Sequence, residues 1–335
     1  MPAVMETAAA STPTATKKIS YLDAVIQAQI EEMHRDERVV LLGEEISVYG
    51  CGEIERTFDK KRVWNTPISE GSFTGMGIGA AMTGLRPIVD LTISSFIYLA
   101  SDQIINQAAK LRYMTGGQMQ LPIVFRACMY YNIGNAAQHS DRPYPMFMNT
   151  PGLKLLLPSC ASDMKGLMKS AIRDNDPVMM FEDANLWSRK EEVSTDADFL
   201  IPIGQAAVKR KGSDLTIISI GAALTAVMAA ATALAKEGVD VEVVDPRTIV
   251  PLDKHTLIQS VAKTGRVMVV DNAHLTGSVA SEIAAIIADE AFESLKAPIK
   301  RVATPDVQIP FCAELERDMY PTKNSIIAAA KQLLG

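Results

Sequence analysis

At 335 residues with 48% hydrophobic content, the chain is too long for one small core and suits two domains that each bury an interior. Charged residues make up 21% and the net charge is -6, with no basic stripe to neutralise phosphates, which excludes a nucleic-acid binder. Cys51, Cys128, Cys160 and Cys312 stand far apart with no C-x-x-C pair, and the histidines are scattered too; this argues for free thiols in a reducing compartment and against a metal site built from them.

Residues 1–17 read as a disordered tail: Ala, Thr and Ser dominate, Glu6 is present, and there is neither arginine nor a continuous apolar stretch of the kind a leader carries. No segment has the uninterrupted apolar length of a membrane span. The expected setting is cytoplasmic, or the mitochondrial matrix in a eukaryote. Ser20 is placed to cap a helix whose apolar face is Ala24, Val25, Ala28, Ile30 and Met33. Val39-Val40-Leu41-Leu42 is a short apolar run of the kind buried in a parallel sheet, and a loop runs from Gly43 to about Lys60.

Thr66-Pro67-Ile68-Ser69-Glu70 precedes a helix with Gly75, Gly77, Gly79, Ala80 and Ala81, whose small surface admits close backbone approach. A strand at Pro87-Ile88-Val89, a helix from Phe96 to Met114, strands at Pro122–Arg126, Leu153–Pro158 and Val178–Phe181 follow. After a polar stretch the pattern resumes with strands at Thr216–Ile220, Val239–Val244 and Val267–Val270 and helices at Leu224–Glu237 and Val279–Ala291. The alternation predicts two doubly wound α/β domains, 18–195 and 213–335, joined by a linker over 196–212.

Pro67 fixes its own backbone and holds Thr66 extended, so Glu70 is expected at a strand end, where α/β sheets place ligands. The same carboxylate would equally serve as a helix-start charge. His139, in Ala136-Ala137-Gln138-His139-Ser140 before Pro143 and Pro145, is a loop histidine able to act as general acid or base. His34 and His255 read as ordinary polar residues, while His274 sits at a strand end. There is no G-x-G-x-x-G fingerprint, no P-loop and no G-x-S-x-G elbow.

Read together, several segments resemble the beta subunit of the E1 component of thiamine-diphosphate-dependent 2-oxo acid dehydrogenases of the pyruvate, branched-chain and acetoin type. They are Leu41-Leu42-Gly43-Glu44-Glu45, Thr66–Glu70, Gly79–Pro87, Asp102-Gln103-Ile104-Ile105-Asn106, Pro122–Arg126, Ala137-Gln138-His139-Ser140, Pro151-Gly152-Leu153-Lys154, Ala171–Pro177, Val244–Pro251 and Leu275-Thr276-Gly277. The order and spacing of these pieces, from Ile19 to the C-terminus, carry the resemblance.

The resemblance implies a pyrimidine-binding domain followed by a transketolase C-terminal-like domain. It implies that Glu70 contacts the aminopyrimidine nitrogen of thiamine diphosphate and shares its proton, that Phe96 stacks on that ring, and that Glu44 and Ile68 line the same site. His139 would face the substrate or a lipoyl group. A potassium ion would be held by the backbone carbonyls of Ile123, Ala171, Ile172, Asp174 and Asp176. The chain has no G-D-G motif for Mg²⁺ and diphosphate, so an alpha subunit would carry it in an α2β2 heterotetramer, with a lipoyl E2 as further partner. The sequence departs from the family in a shorter loop over 46–60, in Ala127–Asn132 and in Asp141–Phe147. These departures leave a non-oxidative carboligase or a non-catalytic scaffold subunit as alternatives to oxidative decarboxylation.

Overall fold

The computed structural model describes residues 15–48 and 51–335. The N-terminal half runs β1 (Thr16–Ser20), α1 (Tyr21–Arg35), β2 (Val39–Gly43), α2 (Gly52–Thr57), β3 (Val63–Asn65), α3 (Glu70–Met82), β4 (Arg86–Ile93), α4 (Ala109–Met114), β5 (Val124–Met129), α5 (Tyr144–Met148), β6 (Lys154–Leu156), α6 (Ala161–Arg173), β7 (Val178–Asp183) and β8 (Lys190–Ser194). The C-terminal half runs β9 (Ala207–Arg210), β10 (Leu215–Ser219), α7 (Leu224–Lys236), β11 (Val241–Asp245), β12 (Thr248–Val250), α8 (Lys254–Thr264), β13 (Val267–His274), α9 (Val279–Glu290), β14 (Lys300–Thr304), α10 (Ala313–Arg317) and α11 (Lys323–Leu334).

Two α/β units result. The first is a seven-stranded sheet in the order β12-β6-β7-β5-β4-β2-β3, parallel except for β12. The second is a five-stranded sheet in the order β14-β13-β10-β11-β9, parallel except for β9. The central strands are buried on both faces and mainly apolar, which is why they read as runs rather than alternations. β12 belongs by sequence to the second unit yet pairs with β6 of the first, and one apolar cluster runs from Leu42 and Phe125 across to Val244, Val269 and Ile283. The two units therefore share both a strand edge and a core.

Local chemistry explains most of the element starts. Ser20 caps α1 with a reciprocal pair: Asp23 N donates to Ser20 Oγ at 3.1 Å and Ser20 N to Asp23 Oδ2 at 3.0 Å. Four readings of the sequence differ from the structure. β1 begins at Thr16, inside the segment read as tail, because it pairs antiparallel with β8, far away in sequence; residues 1–14 of that tail lie outside the described ones. β9 lies within the segment read as linker, held by β11. The loop after Gly43 contains α2. The helix read over Phe96–Met114 is a 3₁₀ turn, Ser94–Ala100, then a π-helical segment, Gln103–Ala108, leading into α4. Among the described residues no helix is long and apolar enough to cross a membrane.

α3 lies close against β4. A Cβ built on Gly77 would stand 2.5 Å from Val89 Cγ2, whereas one on Gly79 meets nothing within 4 Å. The two glycines should thus respond with opposite sign in the isolated chain. Gly79→Ala should raise stability by about 0.5–1 kcal/mol through helix propensity. Gly77→Ala should lower it by about 1–3 kcal/mol, because overpacking outweighs the same propensity gain. Urea midpoints compared at constant m-value decide the matter; equal shifts in both variants would show that α3 is not seated on Val89.

Candidate functional site

The carboxyl ends of β2, β3, β4, β5 and β7 lie side by side, as their parallel register requires. Gly43 ends β2 because nothing larger fits: a Cβ there would stand 2.2 Å from the Asp90 carbonyl oxygen of β4. Glu44 follows directly and is 1% exposed. Glu70 is the first residue of α3 and 7% exposed. Two acidic side chains thus meet in a buried place, and Glu44 bears the consequence. Burial first, and the charge of Glu70 second, push its carboxyl up to about 7, against a single weak contact from the Thr92 hydroxyl at 3.3 Å. Its other oxygen, Oε2, is buried with no hydrogen-bond partner.

Thr92 owes its position to a charge network beneath the site. Arg126 on β5 is fully buried and donates to Asp90 on β4 and to Glu182 on β7, with Cys51 Sγ at 2.9 Å. The other oxygen of Asp90 accepts the Thr92 N–H at 2.9 Å, in a kink of β4 that holds Thr92 at φ 52°. A β-branched residue in the left-handed region persists only where its surroundings hold it. Burial by itself would lower the Arg126 pKa, but Asp90, Cys51 and Glu182 outweigh it and keep the guanidinium charged. Burial pushes the Cys51 thiol up to about 12, so it is an inert filler.

Phe96 lies on the 3₁₀ turn after β4 and His139 on the turn Ala137–His139. Their rings meet edge to face, with centroids 5.4 Å apart. Ile68 is 70% exposed just ahead of Glu70, and Leu99, whose carbonyl oxygen would lie 3.3 Å from a Cβ on Gly71, is 68% exposed. The candidate residues are thus two buried carboxyl groups, one with an unpartnered oxygen, the edge-to-face Phe96–His139 pair and the exposed Ile68 and Leu99.

The other expected residues sort clearly. His274 is used structurally, its Nε2 lying 2.9 Å from the Val307 carbonyl oxygen, and His34 packs on Phe58. Four of the five carbonyls expected around potassium each accept a hydrogen bond within the chain. Ile123 O accepts from Val178 N at 2.9 Å and Ala171 O from Asp174 N at 3.2 Å. Arg86 donates to Ile172 O at 2.9 Å and to Asp174 O at 2.5 Å, while the Asp176 carboxylate pairs with Arg112 and Lys154. Among the described residues no cluster of His, Cys, Asp and Glu could hold a metal ion. Sequence reading missed Asp90, Thr92, Arg126 and Glu182. The signal available was Arg126 itself, a charge inside the apolar run Ile123-Val124-Phe125, which must be paired if that run is buried.

Residues 17–188 match the transketolase pyrimidine-binding domain and residues 204–326 the transketolase C-terminal domain. The chain is 40% identical to the beta subunit of acetoin:2,6-dichlorophenolindophenol oxidoreductase of Bacillus subtilis, over 95% of this chain and 97% of that protein. It is 42% identical to the 2-oxoisovalerate dehydrogenase beta subunit of the same organism, over 94% of this chain and 98% of that protein. It is 43% identical to the pyruvate dehydrogenase E1 beta subunit of Rhizobium meliloti, over 92% of this chain and 68% of that protein. Among solved structures, a split-gene transketolase titled an inactive beta4 tetramer superposes with a TM-score of 0.78 at 22% identity, covering 94% of this chain and 98% of that one, which speaks for the fold. With both family domains present and such relatives along nearly its whole length, the chain belongs to the transketolase-like beta subunits of the E1 component of thiamine-diphosphate-dependent 2-oxo acid dehydrogenases.

Proposed function

We propose that this chain is the cofactor-activating half of a 2-oxo acid dehydrogenase E1, which decarboxylates a 2-oxo acid oxidatively and passes the acyl group to a lipoyl-bearing E2. The observation that carries this is the buried Glu70 carboxylate beside the unpartnered Glu44 oxygen at the strand ends. Thiamine diphosphate would supply the nucleophilic carbon and the electron sink that decarboxylation of a 2-oxo acid needs. Glu70 would bind the aminopyrimidine nitrogen and hold a proton there; Phe96 would cover the ring, and Ile68 and Glu44 would line its edge. His139 would present its imidazole to the substrate side, where it can donate a proton or stabilise developing charge.

The site is half of a whole. The chain has no G-D-G motif, so an alpha subunit would hold Mg²⁺ and the diphosphate, in an α2β2 assembly. The exposed Ile68 and Leu99 at the rim give such a partner an apolar surface to cover. That the structurally similar beta4 tetramer is titled inactive supports a beta chain that needs its partner. Potassium would have to share the Ile172 and Asp174 carbonyls with the Arg86 guanidinium, and no step is assigned to it.

Two measurements test the reading. The chain assembled with its alpha partner, thiamine diphosphate and Mg²⁺ should reduce an artificial electron acceptor with some 2-oxo acid. Glu70→Gln should cut that turnover by about 100- to 10,000-fold, the range for losing a positioned acid–base group, at unchanged thermal midpoint. Inactivity of the well-folded assembly across a broad panel, or full turnover in the variant, would refute it. The second measurement concerns Glu44. Its carboxyl titrates near 4.5 when unfolded and about 7 in the fold, so the fold binds the extra proton and stability drops as pH rises through that window. Glu44→Gln should remove this drop, making the variant more stable than the parent at pH 8, relative to pH 4, by about 1–2 kcal/mol once solvent screening is allowed for. Parallel urea titrations at the two pH values check it; an unchanged difference would mean Glu44 is ionised in the fold.

A further inference from the structure

The turn that carries His139 leads directly into a buried cation. Arg142 is 7% exposed, its guanidinium 4.8 Å from the centre of the Tyr131 ring and 5.4 Å from that of Tyr320. The two rings are themselves 4.8 Å apart, and Asp183 at the end of β7 supplies the counter-charge at 3.3 Å. Tyr131 lies on the loop after β5 and Tyr320 on the segment between α10 and α11, so one cation joins the loop of the first unit to the end of the second. Glu316 in α10 makes a second tie. It is fully buried, and its carboxylate accepts the backbone N–H of Asn132 at 2.6 Å and of Gly134 at 2.9 Å. At the far end of the loop, Ser94 Oγ donates to Asp141 O at 2.8 Å.

The loop between these ties does little to hold itself. Asn132 and Ala136 stand at φ 58° and 56°, left-handed conformations that a residue with a Cβ keeps only when the surroundings impose them. Ser140 Oγ, next to His139, is buried with no hydrogen-bond partner. Arg142 itself makes no directed hydrogen bond through its guanidinium; ring faces and the Asp183 charge hold it. The loop is therefore held from both units: by Ser94, Asp183 and Asn185 of the first, and by Glu316 and Tyr320 of the C-terminal segment.

We propose that Arg142 and Tyr320 are positioning residues for His139: through them, and through the Glu316 clamp, the C-terminal domain sets where the imidazole stands against the Phe96 ring. This rests on the reading of His139 as the group that faces the substrate. It gives the C-terminal domain a part in the active site that none of its residues plays by contact.

The test is a double-mutant cycle in the enzyme assembled with its alpha partner, joined to hydrogen exchange on the same protein. Tyr320→Leu removes one ring without leaving a charge unpaired; Arg142→Met with Asp183→Asn is the second variant, should the first fold poorly. Tyr320→Leu should lower kcat by about 10-fold with KM and cofactor affinity within about 2-fold, and should lower it no further in a His139→Ala background, because residues acting as a unit are not additive. The Asn132 and Gly134 amides should exchange about 10-fold faster while the bulk of the sheet keeps its protection. Equal losses of kcat in both backgrounds, or unchanged exchange at these amides, would overturn the proposal. Full activity of His139→Ala alone would overturn the reading of His139 and the positioning role with it.

Discussion

The buried pairing of Arg126 with Asp90 and Glu182 is the constraint on which the rest of the site depends. Three adjacent parallel strands end at this one cation, and each carboxylate has a second task. Asp90 takes the Thr92 amide and fixes the kink in β4; Glu182 takes the Trp187 indole N–H at 3.2 Å. A fully buried ion triad contributes little net stability, since desolvation offsets most of the attraction. What it contributes is geometry. With the cation removed, two carboxylates would remain in a dry interior, one of them already pushed up by burial, and the strand ends would have no common anchor.

From that anchor the arrangement of Glu44 and Glu70 follows. The kink aims the Thr92 hydroxyl at Glu44, and Gly43 lets β2 come close enough for the contact. Burial, and then the neighbouring Glu70 charge, push the Glu44 carboxyl up to about 7. The fold has left the pair short of partners, and the open rim is where a second subunit and a cofactor would complete it.

What was legible in the sequence was what local pattern determines. The apolar runs of β2, β5 and β7, the Ser20 cap and the start of α3 at Glu70 follow from residues within a few positions of each other. What was hidden depends on partners far away in the chain. β1 is a strand because β8 lies beside it, and β12 leaves its own unit for β6. The π-helical segment breaks a helix whose residues are ordinary helix formers. At the site, Glu70 and His139 were legible as candidate chemistry. The network that holds them was not, because Asp90, Arg126 and Glu182 come from three strands, and Tyr131, Arg142 and Tyr320 from segments up to nearly two hundred residues apart.

The same division explains why the cofactor is easier to read than the acid it acts on. Relatives named for acetoin, pyruvate and 2-oxoisovalerate stand at 40%, 43% and 42% identity, so overall similarity does not separate their substrates. The groups proposed for the pyrimidine ring follow directly on regular elements: Glu44 after β2, Glu70 at the start of α3 and Phe96 on the turn after β4. His139, proposed to face the substrate, sits between β5 and α5 on a segment held by side-chain contacts rather than by register. In this chain those contacts are aromatic and charged: Tyr131, Arg142, Asp183 and Tyr320 fill the space behind His139. A loop stiffened from behind has a narrower range of positions in front. The choice of 2-oxo acid should therefore be sought in how this cluster places the loop as well as in the side chains that touch the substrate.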